Sequence, residues 1–219
     1  MRVNLEGSVN VFKSAAEAGI KKMIYASSSE VYGEPRELPI REDSVKGPVS
    51  TYGVSKLAAE IYAKAYNHEF GMDIRIARFF NVYGPKQSDN FVIPLFIKAA
   101  MENKPITIFG DGKQTRCFTY VDDIIDGVVK VIERGEASEA YNIGNNNPTT
   151  ILELAHIIKD ATGSNSEIIK AGFGKQTRLK EREIEYRIPD ISKMNALGWK
   201  PKTMIKEGIK KIIESRKNY

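Results

Sequence analysis

The hydrophobic positions along the chain alternate between helical and extended periods. Val3, Val9, Val11, Phe12, Ala15, Ala16 and Ala18 recur at helical spacing and stop at Gly19, which predicts an opening helix closed by glycine. The apolar run Met23-Ile24-Tyr25-Ala26 follows at once and collapses into Ser27-Ser28-Ser29. Such a run, bounded by small polar residues, reads as a buried strand that stops at the carboxyl edge of a sheet. A second helix is predicted from Thr51 to about Phe70, with Leu57, Ala58, Ile61, Ala65 and Tyr66 on its apolar side and Gly71 at its end. Met72 to Phe80 gives a second strand that spills into Asn81-Val82-Tyr83-Gly84-Pro85. The two Val-Tyr-Gly turns, 31–33 and 82–84, mark two strand ends facing one edge.

Beyond Pro85 a polar loop leads to Phe91–Phe96 and a helix reaching Asn103. Ile106–Phe109 reads as a short strand entering Gly110-Asp111-Gly112, a hairpin-type turn that returns the chain at Thr115–Val121. Asp122 and Asp123 read as caps of a helix over 124–134, and Ala140–Gly144 as another buried strand. Thr149-Thr150 opens a helix through Ala161, and a charged strand region spans 165–188. The last helix puts Ile205, Ile209, Ile212 and Ile213 on one face, with its lysines on the solvated side. Strands alternating with helices of these lengths predict an α/β chain with a parallel sheet.

Composition narrows the partners. A chain of 219 residues buries one good core, or one domain and a small companion. The net charge of +5 suits anionic small molecules such as nucleotide diphosphates, although a mildly basic surface is the simpler explanation. Lysines and arginines are dispersed without interleaved aromatics, so nucleic-acid binding is disfavoured. One cysteine, Cys117, excludes an internal disulfide and fits a reducing compartment. His68 and His156 belong to no ligand motif, so no metal is expected. No segment approaches the ~20 apolar residues of a membrane span, and the amino terminus has no signal-peptide pattern. A cytoplasmic location is the expectation.

Tyr52 and Lys56 are four apart, so on a helix they share one face. An ammonium one turn from a phenol favours the phenolate and makes it a usable base. A hydroxyl from the serine strap can then hold the substrate oxygen that gives up its proton. A Tyr-x-x-x-Lys by itself is weak, since an aromatic beside a solvated lysine is common on helices. The serine-ended strand and the Tyr32-Gly33 turn upstream reverse that balance.

With these residues together, the stretch resembles the active-site region of extended short-chain dehydrogenase/reductases, the NAD-dependent nucleotide-sugar epimerases and dehydratases. The resemblance runs over essentially the whole chain. It implies the carboxyl-terminal part of a Rossmann-type doubly wound parallel sheet with a small α/β substrate-binding domain. Residues 1–86 would form a partial NAD-binding domain and 87–219 mainly the substrate domain, with 122–145 returning to the sheet. The resemblance implies catalytic roles for Ser28, Tyr52 and Lys56, with Glu30 a candidate acid/base. It puts Asn4, Tyr52, Lys56 and Phe79 on NAD, and Asn81, Val92 and Arg116 on a UDP-sugar or related nucleotide-sugar. Arg182, or Arg178, would be a second arginine for the diphosphate. The plain alternatives are an exposed helix polar residue for Asn4, a turn-capping asparagine for Asn81 and a solvated strand arginine for Arg116.

The family opens with a strand and a Gly-x-x-Gly-x-x-Gly turn that cradles the dinucleotide pyrophosphate, and these residues contain no such spacing. By order of elements, the chain starts after four βα units, which would leave its first strand at a bare sheet edge. A start codon assigned too late, a split gene whose other chain supplies the front half, and a degenerate remnant each account for that. The expected activity is most like that of UDP-glucose/UDP-galactose 4-epimerases, acting through a transient keto-sugar. UDP-glucuronate decarboxylases are the alternative that Ser28-Ser29-Glu30 resembles better. The dTDP-glucose 4,6-dehydratases place Thr-Asp-Glu there, and Ser29 removes half of their acidic pair. A non-catalytic nucleotide-sugar-binding module is the rival from another class. A homodimer through the helices at 3–18 and 51–69, or an amino-terminal partner chain, is expected alongside.

Overall fold

The structure is a computed structural model that describes residues 2–172 and 184–217. The chain opens with a π-helical turn, Arg2–Glu6, that runs into α1 (Gly7–Glu17), so the expected first helix carries a wider first turn. Next come β1 (Lys22–Ser28), a 3₁₀ turn (Ser29–Val31), α2 (Thr51–Phe70) and β2 (Asp73–Phe79). Then follow β3 (Val82–Tyr83), α3 (Val92–Met101), β4 (Ile106–Phe109), β5 (Thr115–Arg116), β6 (Thr119–Tyr120) and α4 (Val121–Arg134). The rest comprises β7 (Ala140–Ile143), β8 (Thr149–Thr150), α5 (Ile151–Thr162), β9 (Ile168–Ala171), α6 (Ser192–Ala196) and α7 (Ile205–Lys217). No helix among the described residues is long and apolar enough to cross a membrane.

The strands β1, β2 and β7 form a parallel sheet in that order, with Ser28 paired to Phe79 and Phe79 to Ile143. All three strands therefore end level, at the edge where open α/β sheets bind ligands. Among the described residues β1 pairs only with β2. One face of the sheet packs Tyr25, Ile74 and Ile76 against Phe12 of α1 and Ala59 and Ala63 of α2. Ile76 is fully buried, which is worth roughly 2–3 kcal/mol of transfer free energy. The other face packs Ala77, Tyr141 and Ile143 against α4 and against Met194 and Trp199. A separate core, built on Phe96, Ile97, Ile106, Leu154, Ile158 and Ile212, holds α3, α5 and α7 over the parallel pair β4–β9.

Two local expectations are corrected. Gly110 and Gly112 do turn the chain, at φ +79° and +78°, but they close no hairpin. β4 takes β9 as a parallel partner, while β5 pairs antiparallel with β8, so strand pairing distant in sequence overrides the local turn. Asp122 and Asp123 do not cap α4, which begins before them at Val121 with Tyr120 as its N-cap. Both sit in its first turn, where negative charge suits the helix dipole. Asp123 is buried and accepts the backbone N–H groups of Lys202 and Thr203.

Candidate active site

The level strand ends open into a cleft of about 640 Å³ whose lining includes Ser28, Glu30, Tyr52, Phe79, Asn81 and Val92. A second cleft of about 450 Å³, between Leu38-Pro39 and Asp190–Asn195, has a single titratable residue, Asp190, in its lining. Acid–base chemistry thus concentrates in the first.

Ser28 ends β1 in extended backbone, and its hydroxyl oxygen accepts the Glu30 N–H at 3.2 Å. That bond occupies the oxygen as an acceptor and leaves the O–H free to donate. Ser50 caps α2 by accepting the Gly53 N–H at 3.0 Å, which fixes the helix start one residue before Tyr52. Tyr52 stands 43% exposed at the cleft. One turn on, the Lys56 ammonium donates to the Ala26 carbonyl at 2.8 Å and lies 5.7 Å from the centre of the Tyr52 ring. Burial pushes the Lys56 ammonium below its ordinary range. The structure therefore brings Ser28, Tyr52 and Lys56 together.

Glu30 is held on both sides. Its carboxylate accepts the Ser50 hydroxyl at 3.1 Å and an Arg187 N–H at 2.7 Å. Burial pushes this carboxyl up, but the charge and hydrogen bond of Arg187, the Ser50 hydroxyl and the charge of Arg116 outweigh it and hold Glu30 below its usual range. Glu30 thus presents an ionised, engaged carboxylate, better suited to anchoring Arg187 than to passing protons.

Arg187 did not stand out in the sequence. It is 6% exposed and lines the cleft, and its Nε–H is buried without a hydrogen-bond partner. It gets there because Ile40 donates its N–H to Ile188 and accepts that of Asp190, both at 2.8 Å, which straps the segment after Tyr186 onto the loop beyond β1. Gln87, also unanticipated, donates to the Val82 carbonyl at 2.9 Å and leaves its own buried oxygen unpartnered at the cleft. Asn81 adds a third orphan, a buried Oδ1, on backbone strained to φ +37°. A non-glycine residue held there costs on the order of 1 kcal/mol, and asparagine tolerates it best.

The other sequence candidates sit as follows. Phe79 and Val92 form part of the cleft wall, Val92 as the first residue of α3, which has no side-chain cap. Arg116 lies outside the wall, donating to the Thr115 carbonyl at 2.7 Å, yet its charge reaches Glu30. Asn4 lies in the π turn, where its carbonyl accepts the Ser8 hydroxyl at 2.7 Å, and is not part of the cleft lining. Arg178 and Arg182 lie outside the described residues. Burial pushes the Cys117 thiol up to about 12, which leaves it inert.

The donor set fits the nicotinamide end of a dinucleotide. Lys56 spends one of its three N–H donors on Ala26 and has the others for ribose hydroxyls, and the Phe79 ring offers an apolar wall.

The chain is similar to a number of curated proteins and solved structures. A provisional UDP-glucose 4-epimerase of Methanocaldococcus jannaschii is 38% identical over 99% of this chain and 70% of its own length. The structure of UDP-glucose 4-epimerase from Thermotoga maritima, solved with UDP-glucose, superposes with a TM-score of 0.92 at 30% identity, over 99% of this chain and 70% of that one. UDP-glucuronic acid 4-epimerase from Bacillus cereus, solved with UDP-glucuronic acid and NAD, gives 0.89 at 32% identity, over 99% and 68%. Other relatives include dTDP-D-glucose 4,6-dehydratases and UDP-glucuronic acid decarboxylases. The chain spans between 60% and 70% of the length of four curated relatives that it matches. Residues 1–144 match the profile of the NAD dependent epimerase/dehydratase family, and the chain belongs to that family.

Proposed function

We propose that this chain carries the proton-transfer and sugar-binding part of an NAD-dependent nucleotide-sugar 4-epimerase, with UDP-glucose and UDP-galactose as its substrate pair. The observation that carries the reading is the convergence of Tyr52 and Ser28 with the unpartnered polar atoms of Asn81, Gln87 and Arg187 in one cleft. Orphaned buried polar atoms are costly in a folded protein, so three of them around one space call for a polar ligand. Tyr52 takes the proton of the sugar hydroxyl, and the free Ser28 O–H holds the same oxygen. Lys56 compensates the charge that appears on the Tyr52 oxygen. NAD, when bound, supplies a reversible hydride acceptor for the sugar carbon. Asn81 and the start of α3 at Val92 meet the nucleotide, and Arg116 offers its donor fork to the diphosphate. In this reading residues 1–86 and 122–145 serve the cofactor side and the remainder serves the substrate.

The test is interconversion of UDP-galactose and UDP-glucose by purified protein supplied with NAD. Turnover abolished by Tyr52→Phe supports the assignment. UDP binding by calorimetry without any turnover would replace it with a binding module. A homodimer belongs to the same proposal, because Val11, Val54, Ile61 and Tyr62 leave exposed apolar positions on α1 and α2. A mass equal to one chain in light scattering would remove that part.

One observation favours a second reading, a uronic-acid sugar as substrate. Arg187 places a buried guanidinium with a spare donor at the cleft, held by Glu30, and guanidinium suits a carboxylate. A uronate oxidised at its 4-hydroxyl is a β-keto acid, which loses carbon dioxide. Carbon dioxide release from UDP-glucuronate separates this from epimerisation. Dehydration is the least supported outcome, because Ser29 is buried where an acid would be needed and Glu30 is already engaged.

A further inference from the structure

Behind the cleft lies a set of buried polar groups that the chemistry above does not use. Arg78, on β2, grips Glu60 of α2 through two parallel bonds, Nε to Oε1 at 3.0 Å and a terminal nitrogen to Oε2 at 2.7 Å. Ser27, on β1, donates to the same Glu60 Oε1. The remaining side of Arg78 donates to the Tyr32 hydroxyl at 2.7 Å and to the Glu42 carbonyl at 2.8 Å. Tyr32 in turn donates to Asn142 of β7 at 2.6 Å. The side chains of Arg78 and Glu60 are each 3% exposed, and Ser27 and Tyr32 are as deeply buried.

The location of this cluster is informative. Ser27 immediately precedes Ser28, and Arg78, its register partner, immediately precedes Phe79, so the cluster adjoins the strand ends, with Ser27 at the cleft lining and Arg78 and Glu60 behind it. On α2, Tyr52, Lys56 and Glu60 follow one another at four-residue steps, which stacks them on one face. Glu60 therefore ties α2 to both strands one turn beyond Lys56. A buried ion pair gains little stability over an apolar pair of the same volume, because desolvation offsets the attraction. Its advantage is directional: a bidentate guanidinium–carboxylate pair fixes distance and orientation in a way that sliding hydrocarbon does not.

We propose that the Ser27–Glu60–Arg78 cluster is a positioning device that fixes α2 on the β1–β2 edge, so that Lys56 stays on the Ala26 carbonyl and Tyr52 stays beside Ser28. Glu60 and Arg78 lie outside the cleft lining and act through the placement of α2; Ser27 reaches the lining and joins them through its bond to Glu60. Only the catalytic arm of the test rests on the epimerase reading, and the other arm needs no substrate.

The experiment compares the full chain with Ser27→Ala and with the paired apolar replacement Glu60→Met/Arg78→Met. The Lys56 side-chain nitrogen is followed by NMR through a pH titration, assigned by its loss in Lys56→Arg. Lys56 faces the Ala26 carbonyl and the Tyr25 and Tyr52 rings, and its ammonium is held down by burial. If the cluster positions α2, both variants melt cooperatively within a few degrees of the parent. Their Lys56 midpoint then moves up by about half a unit or more, as expected when the ammonium regains solvent. Turnover falls about 10- to 100-fold in the paired variant, with KM changed less than about threefold, as for a group displaced by about an ångström. An unmoved Lys56 midpoint in a folded variant overturns the proposal, whatever the turnover. Should the paired variant fail to fold, Ser27→Ala decides by the same midpoint. A parent that turns over none of the nucleotide sugars sinks the epimerase reading and leaves the NMR arm to decide this one.

Discussion

Tyr52 and Glu30 share a cleft and have opposite environments. Tyr52 is open to solvent and has one cation near its ring, whereas Glu30 has every strong contact committed. Tyr52→Phe removes one oxygen from a half-exposed ring, so stability should hardly change while turnover falls by about 10²–10⁴-fold. Steady-state kinetics beside a thermal melt checks this, and unchanged turnover would move the base elsewhere. Glu30 gives a pH prediction. Its folded-state midpoint is depressed, so the stabilisation it provides is fully present above the ordinary carboxylate range near ~4.3 and is lost as the pH falls through its lower folded midpoint. In Arg187→Met that carboxylate keeps its burial but loses its cation, which should cost about 1–3 kcal/mol at neutral pH. Melting temperatures taken from pH 7 downwards should show the gap between variant and parent closing on the acid side. A gap independent of pH would mean that Arg187 acts through packing alone.

The elements differ in how plainly they announce themselves. α2 is legible in its bounds, because Ser50 caps it and Gly71 closes it at φ +64°, but not in its face: Ile61, expected on the apolar side, is exposed, while Ser55, Ala59, Glu60 and Ala63 are buried. Ser28, Tyr52 and Lys56 came with it, since their meeting depends on one strand end and one helix face close in sequence. Arg187 depends instead on a backbone strap to Ile40 across the full width of the chain, and no local pattern distinguishes it from the arginines before it. The Gly110-Asp111-Gly112 turn misled for the same reason: it specifies a reversal but not the strand that β4 will pair with. One requirement of α2 was invisible in the sequence. A Cβ on Gly53 would come within 2.6 Å of the Glu30 carbonyl oxygen and 2.9 Å of the Pro48 ring. Gly53→Ala should therefore lose about 1–3 kcal/mol by overpacking, even though alanine favours helix. The contact is backbone, so the helix start must shift and carry Tyr52 with it. Turnover should then fall more than the loss of folded protein explains. A variant as stable and active as the parent would show that the 3₁₀ turn yields instead.

At the scale of the molecule, the question is whether the sheet with its helices and the α3–α5–α7 core unfold together. Several links join them: β3 pairs with β6, Thr119 donates to the Phe80 carbonyl, and Asn145 donates to the Thr119 hydroxyl. A further link runs through Trp199 and the residues after it. Trp199 is 4% exposed, donates its indole N–H to the Asp123 carbonyl, and packs so close to Gly127 that a Cβ there would meet it at 3.2 Å. Three and four residues on, the Lys202 and Thr203 amides both donate to the Asp123 carboxylate, just before α7 enters the second core. Asp123 thus fastens the segment that passes from one core to the other. Trp199 is the only tryptophan, so its fluorescence reports docking on the sheet side, while far-UV dichroism reports all the helices. In urea the two signals should trace one transition for the parent. Asp123→Ala leaves two backbone donors without an acceptor, at about 1–3 kcal/mol each, and unfastens the passage. The fluorescence change should then precede the dichroism change, because the α3–α5–α7 core keeps its own contacts. Coincident transitions in the variant would mean that strand pairing and Thr119 suffice to couple the cores, and separate transitions in the parent would mean that they were never coupled.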